Sequence, residues 1–293
     1  MRLPRLKTGL KTGLTTGLKA GAVASLGLAS VSQAAAVAAP APRHYYVALG
    51  DSLSVGYQPG AGDTDQGYVD DLYASLKSRD PGLRLVKLGC SGETTTTMMR
   101  GGICHYTGGG QLRDAESFLA AHRGRVRYVT LDIGANDVDK CLAGGAISPS
   151  CILGGLGTIS TNLPQIVGGI RKAAGPHAPK FAAMTYYDPF LASWLTGSKG
   201  HALAGESVVL ANVINAMETG IYRASGFRVA DVAATYATND FGHPETLPGT
   251  TTTVPRNVAR ICAWTWMCTQ NNIHANATGY QRIADTFTPV LAR

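Results

Sequence analysis

Four short stretches of this chain carry a hydroxyl, an imidazole and hydrogen-bond donors. Ser52 stands in Gly50-Asp51-Ser52-Leu53 and His274 in Asn271-Asn272-Ile273-His274. Gly92 stands in Ser91-Gly92-Glu93-Thr94 and Asn136 in Gly134-Ala135-Asn136-Asp137. Acyl transfer needs a hydroxyl nucleophile, a neutral imidazole to take its proton, and N–H groups aimed at the oxyanion. Gly92 lets a backbone N–H approach with no side chain in the way. Asn136 offers a side-chain amide, and the N–H of Ser52 is a third donor. Each residue also has a plainer reading. Ser52 and Asn136 could cap helices, Gly92 could be a turn glycine, and His274 is one of 7 histidines. The four together, in this order, outweigh those readings. Asp51 and Asp137 belong to the same stretches, and beside a serine and an amide they fix loop geometry rather than transfer protons.

The stretches of Ser52, Gly92 and Asn136 each follow a strand-like run. Residues 45–49 read as a short buried strand stopped by Gly50, residues 83–88 as a second and residues 126–133 as a third. Strands over residues 180–187 and 227–232 alternate with helices over 67–77, 111–122, 158–174 (with Pro164 near the first turn), 206–224 and from about 276 to 291. Val209, Val213, Met217 and Ile221 recur at helical spacing and are expected in the core. Residues 233–270, rich in Pro and Thr, read as loop, and Asn276 as the cap of the closing helix. Such alternation predicts a doubly wound α/β sheet, whose ligand crevice lies beyond the carboxyl ends of the strands.

Composition bounds the rest. Hydrophobic residues make up 45% of 293, enough for one sizeable core, and nothing resembles a linker between domains. Arg2, Arg5, Lys7, Lys11 and Lys19 lie in the first 39 residues, which hold no acid, so the remainder carries only about +2. That excludes an argument for nucleic acid or an anionic surface. Residues 1–39 pair this basic segment with an Ala-rich apolar stretch and small residues near Ala34 to Ala39, which reads as a cleavable signal for the general secretory route. Residues 40–293 then form one secreted domain, acting as a monomer with no membrane span. Six cysteines in an exported chain imply disulfides, and their spacing suggests Cys90–Cys104, Cys141–Cys151 and Cys262–Cys268. Loops this short contribute about 2–3 kcal/mol each at most. With no Cys-x-x-Cys and no paired histidines, no metal or other cofactor is expected.

On the four quoted stretches the chain resembles the SGNH hydrolases of the GDSL esterase/lipase family, especially exported, disulfide-bearing actinobacterial forms. The resemblance implies a flavodoxin-like three-layer α/β/α sandwich with a five-stranded parallel sheet. It also implies hydrolysis of carboxylic esters through an acyl-enzyme on Ser52, with His274 as base and Ser52, Gly92 and Asn136 as oxyanion donors. One departure stands out. The family places an aspartate three residues before the histidine, and here that residue is Asn271. In a serine protease an Asp-to-Asn change costs about 10,000-fold, largely through the wrong tautomer. A main-chain carbonyl of Gln270, Asn271 or Asn272 could hold the right one, as in some relatives, so a Ser52–His274 dyad oriented by backbone is expected. Asp240 and Asp285 are the acids that could stand in.

The apolar segment from Tyr187 to Leu195, with Tyr57 opposite, suits an acyl-chain groove and hence short- to medium-chain esters. Deacetylation of polysaccharide is the rival activity, for which Trp194, Trp264 and Trp266 are the available platform, although the last two could instead brace the histidine segment. A non-catalytic binding protein is the third reading, motivated by Asn271. Asn276-Ala277-Thr278 matches a glycosylation acceptor by chance.

Overall fold

The computed structural model describes residues 43–141 and 147–292. The signal expected over residues 1–39 lies outside them. Strands β1 (His44–Gly50), β2 (Leu83–Lys87), β3 (Val126–Asp132), β4 (Lys180–Met184) and β5 (Arg228–Ala230) form one parallel sheet in the order β2-β1-β3-β4-β5. Side chains alternate across it, as the two-residue period of a strand demands. Tyr46 and Ala48 enter one apolar layer with helices α1 (Tyr68–Lys77) and α10 (Ala277–Ala292). Val47 and Leu49 enter the other with α3 (Gln111–Ala121) and α5 (Pro149–Ala174). A sheet covered on both faces explains why β1 reads as an almost continuous apolar run. The three-layer sandwich is the one the family resemblance implies, and the doubly wound sheet the one the alternation of elements predicts.

After β1 the chain builds outward to β2, then crosses back to the other side of β1. That reversal opens a crevice between the carboxyl ends of β1 and β3, where open α/β sheets take their ligands. The short helices α2 (Thr95–Arg100) and α4 (Ala135–Val138) lie on this crevice's loops. The end of β1 depends on Gly50. Its φ is +146°, and a Cβ there would lie 2.4 Å from the Asp132 carbonyl oxygen. The Gln111 side chain closes the turn, accepting from Gly50 N at 2.7 Å and donating to Gly50 O at 2.9 Å.

Four elements differ from expectation. The helix α5 starts at Pro149, not residue 158, with Ser148 as cap and Pro149 at its first position, so Pro164 falls inside it. Strand β4 ends at Met184, and helix α6 (Ser198–Ala224) is rotated relative to the expected stripe. Val209 is 65% exposed and Val213 49%, while Ser207, Val208, Ile214, Asn215, Glu218 and Tyr222 face inward. The reason is hydrogen bonding. Thr185 N still bonds Ala230 O at 3.1 Å, but beyond it the chain leaves the ladder, and the Asn215 amide pairs with both the N–H (2.7 Å) and the C=O (2.8 Å) of Tyr186. Ser207 donates to Asp188 at 2.7 Å. Polar groups that satisfy buried partners outrank valines for the inner face. Residues 233–270 are not a plain loop. After α7 (Val232–Thr235) comes a hairpin of β6 (Pro244–Thr246) and β7 (Thr253–Pro255), then α8 (Arg256–Trp264) and α9 (Met267–Gln270). The threonine run is the hairpin's turn, and Pro255 caps α8, which buries Val258 and Ile261.

Disulfides join Cys90 to Cys104, Cys141 to Cys151 and Cys262 to Cys268. No helix among the described residues is long and apolar enough to cross a membrane.

Candidate active site

The loop after β1 and the segment before α10 bring Ser52 and His274 together, with His274 Nε2 2.8 Å from Ser52 Oγ. The other ring nitrogen, Nδ1, lies 2.7 Å from Oδ1 of Asn272. Its protonation follows from a second contact. The backbone N–H of His274 also points at Asn272 Oδ1, at 3.1 Å. A backbone N–H can only donate, so that atom is the amide oxygen and Nδ1 must carry the ring proton. Nε2 is then the acceptor facing the Ser52 hydroxyl, the state a general base requires.

This corrects the expected orienting group. The imidazole is held by the side chain of Asn272 rather than by a main-chain carbonyl of Gln270, Asn271 or Asn272. Asn271 is exposed and left-handed, φ 50°, at the end of α9. Asn272 forms an Asx turn, in which a short amide side chain bonds the N–H two residues on. That geometry turns its oxygen towards the ring. The spacing Asn-x-His was the available sign. Neither candidate acid reaches the ring, since Asp240 pairs with His243 and Arg256 while Asp285 bonds Gln281.

Neighbouring elements fix the histidine segment. Trp266 N donates to His274 O at 2.9 Å, Thr265 and Ala275 form an antiparallel bridge, and Cys262–Cys268 closes α8 onto α9. The Trp266 indole N–H donates to Gln58 Oε1 at 2.8 Å, tying this segment to the loop after Ser52. Tyr57 on that loop packs against the imidazole, with ring centroids 4.3 Å apart. Gln58 had no sequence signal. Asn276 caps α10, its Oδ1 accepting from Gly279 N at 3.1 Å.

The three expected oxyanion donors lie on the loops after β1, β2 and β3. Gly92 has φ +82°, and a Cβ there would meet only Ile103, at 4.0 Å. The glycine is thus set by backbone conformation and leaves its surroundings open. The backbone N–H groups of Ser52 and Gly92 have no acceptor among the described residues. Asn136 Nδ2 donates one hydrogen to Glu93 O at 2.9 Å, which locks the second loop to the third and leaves the other hydrogen free. Asp137 accepts from both N and Oγ1 of Thr95, at 2.8 Å each. Asp51 accepts from Leu53 N at 2.9 Å and from the Tyr186 hydroxyl at 2.8 Å.

Burial sets the electrostatics. It lowers His274 from 6.5 to about 4, opposed in part by the Asp63 carboxylate. The imidazole is therefore neutral at ordinary pH. Burial raises Asp51, and it raises Asp132 well above the usual carboxylate range, where the neighbouring Asp51 adds to the effect. Tyr68 donates to Asp132 at 2.5 Å. Both shifts disfavour two negative charges side by side behind Ser52.

A cavity of about 720 Å³, including its open mouth, begins at Ser52 and His274. Tyr187, Pro189 and Phe190, from the segment expected to line a groove, are on its wall, with Leu210, Ile214 and Ile273. Trp194 is not. It stacks on His201, centroids 3.8 Å apart.

Comparison with known proteins places the chain in a family. Residues 48–282 match the profile of the GDSL-like Lipase/Acylhydrolase family. No curated protein sequence matches. Among solved structures, an extracellular lipase from Streptomyces rimosus is 22% identical, with TM-score 0.51 over 85% of this chain and 98% of that one. A putative GDSL-like lipase from Parabacteroides merdae is 13% identical, TM-score 0.54, over 85% and 95%. A mutant acetyl-xylooligosaccharide esterase from Geobacillus is 16% identical, TM-score 0.50, over 85% and 94%. These likenesses are of fold. With the family match spanning most of its length, the chain belongs to the GDSL-like lipase/acylhydrolase family and is a carboxylic ester hydrolase.

Proposed function

We propose that the protein is an exported, monomeric serine esterase cleaving short- to medium-chain acyl esters through an acyl-enzyme on Ser52. The 2.8 Å contact from His274 Nε2 to Ser52 Oγ carries this reading. Ser52 Oγ attacks the ester carbonyl carbon as its proton passes to Nε2. The carbonyl oxygen becomes an oxyanion that accepts from Ser52 N, Gly92 N and Asn136 Nδ2. Collapse breaks the bond to the alkoxy oxygen, which leaves as alcohol with the proton held by His274. Water then gives a proton to His274 and attacks the acyl carbon, and breakdown returns that proton to Ser52 Oγ with release of the acid. All these groups come from one chain. Export is supported by three disulfides, which persist in oxidising compartments, and by the character of residues 1–39.

The acyl preference rests on the apolar wall of the cavity. Nitrophenyl esters from acetate to decanoate should peak in kcat/KM between the shortest and longest members. No turnover on any of them, with release of acetate from acetylated xylan, would replace this reading with polysaccharide deacetylation.

The role of Asn272 has its own expected result. Asn272→Ala removes the acceptor that selects the tautomer, and kcat should fall about 10- to 100-fold because water can partly substitute. Asn271→Ala should change little. The working form of His274 is neutral, so wild-type activity should persist as pH falls through 6.5 and disappear only towards pH 4. Asn272→Asp would set a carboxylate beside Nδ1, favour the imidazolium and move that acid limb upward. A pH–rate profile of the two proteins checks the sign, and a wild-type limb at 6.5 or above would contradict the buried neutral base.

A further inference from the structure

The cavity at Ser52 is apolar only in part, because three carboxyl groups also line it, those of Asp51, Asp139 and Asp188. Two are occupied by the protein itself. Asp51 holds Leu53 N and the Tyr186 hydroxyl, and Asp188 holds Phe190 N and the Ser207 hydroxyl. Asp139 is different. It stands at the C-terminal end of α4, half-buried, and its carboxyl has neither a hydrogen-bond partner nor an ion pair among the described residues. Burial, then the like charges of Asp51 and Asp188, push it up to about 7. The short helix that presents Asn136 therefore also sets an unanswered carboxyl into the wall of the substrate cavity.

A hydrocarbon chain filling the cavity would strip water from this carboxyl and offer nothing in return, and an unpaired polar group is costly to desolvate. A chain carrying an O–H or N–H would replace the lost water with a direct bond. We propose that Asp139 is a specificity-determining residue, making the enzyme prefer esters whose acyl chain bears a hydrogen-bond donor, hydroxyl or ammonium, over plain chains of equal length. This inference rests on the Ser52 hydrolase reading. A site built to bond a polar group discriminates strongly against analogues that lack it. With Asp139 only half-buried, the discrimination should be about 10- to 100-fold in kcat/KM rather than the larger ratios of closed sites.

The test is a set of nitrophenyl esters of hexanoate, its omega-hydroxy analogue and its omega-ammonio analogue, assayed on the full chain as wild type, Asp139→Asn and Asp139→Leu. Fluorophosphonate labelling of Ser52 counts competent sites in each. Wild type should favour at least one donor-bearing ester over hexanoate, and Asp139→Leu should reverse that order. Preference for the hydroxy ester alone identifies a neutral donor, and preference for the ammonio ester a charged one. Should Asp139→Leu not fold, Asp139→Asn carries the test, because loss of the charge should collapse any ammonium preference and reduce a hydroxyl preference. Wild type that favours plain hexanoate, or ratios unmoved by both substitutions, overturns the role of Asp139 while leaving ester hydrolysis intact. Absence of both labelling and turnover in folded wild type would instead remove the Ser52 reading itself.

Discussion

Ser52→Ala and His274→Ala should each lower kcat by about 10,000-fold or more, with the fold retained. On the proposed mechanism Ser52 Oγ is the atom that bonds the acyl carbon, so alanine leaves only water as nucleophile. His274 Nε2 is the hydrogen-bond partner of Ser52 Oγ, and without it the hydroxyl must lose its proton to solvent as it attacks. Groups that act as one unit are not additive, so the double variant should be scarcely slower than either single one. The residue of activity belongs to the oxyanion donors and to substrate binding. Stopped assays on a nitrophenyl ester, with fluorophosphonate labelling and thermal melts, measure all three expectations. A loss below tenfold at His274, in protein that melts normally, would mean that another base serves Ser52.

Asn136→Ala should lower kcat about 100- to 1,000-fold and leave KM nearly unchanged. In the proposed mechanism the free Nδ2 hydrogen meets charge that exists only once the tetrahedral intermediate forms, and interactions made only then act on kcat. A structural role predicts a different pattern. Asn136 also ties its loop to Glu93 O at 2.9 Å, so loosening that tie would displace Gly92, raise KM and lower the melting temperature together. Kinetics and melts on the same preparation separate the two. A change confined to KM and stability would leave Asn136 as a loop tie and nothing more.

The parts of this molecule legible in its sequence are those governed by short-range pattern. The strands β1, β3 and β4 show as largely buried runs, and the loops after the first three strands carry residue types whose chemistry is recognisable alone. The orientation of α6 was hidden because its valines repeat at helical spacing, while the face that wins does so through long-range hydrogen bonds from Asn215 and Ser207. The helix α8 was hidden by the prolines and threonines of the preceding hairpin. At the site, the missing aspartate drew attention to Asn271 and the backbone. The Asn272 side chain acts one residue later through a local turn that an Asn-x-His spacing could have suggested. Asp139 carried no signal, because its importance comes from what surrounds it in three dimensions.

Ser52 and His274 are 222 residues apart in the chain, the first at the end of the opening strand and the second just before the closing helix. A nascent polypeptide therefore holds an unpartnered serine for most of its synthesis. Any prefix that stops short of α10 is silent, however well its early strands pair. Ester cleavage through this pair thus requires nearly the whole described chain, from the opening strand to the segment before the closing helix, to be in place.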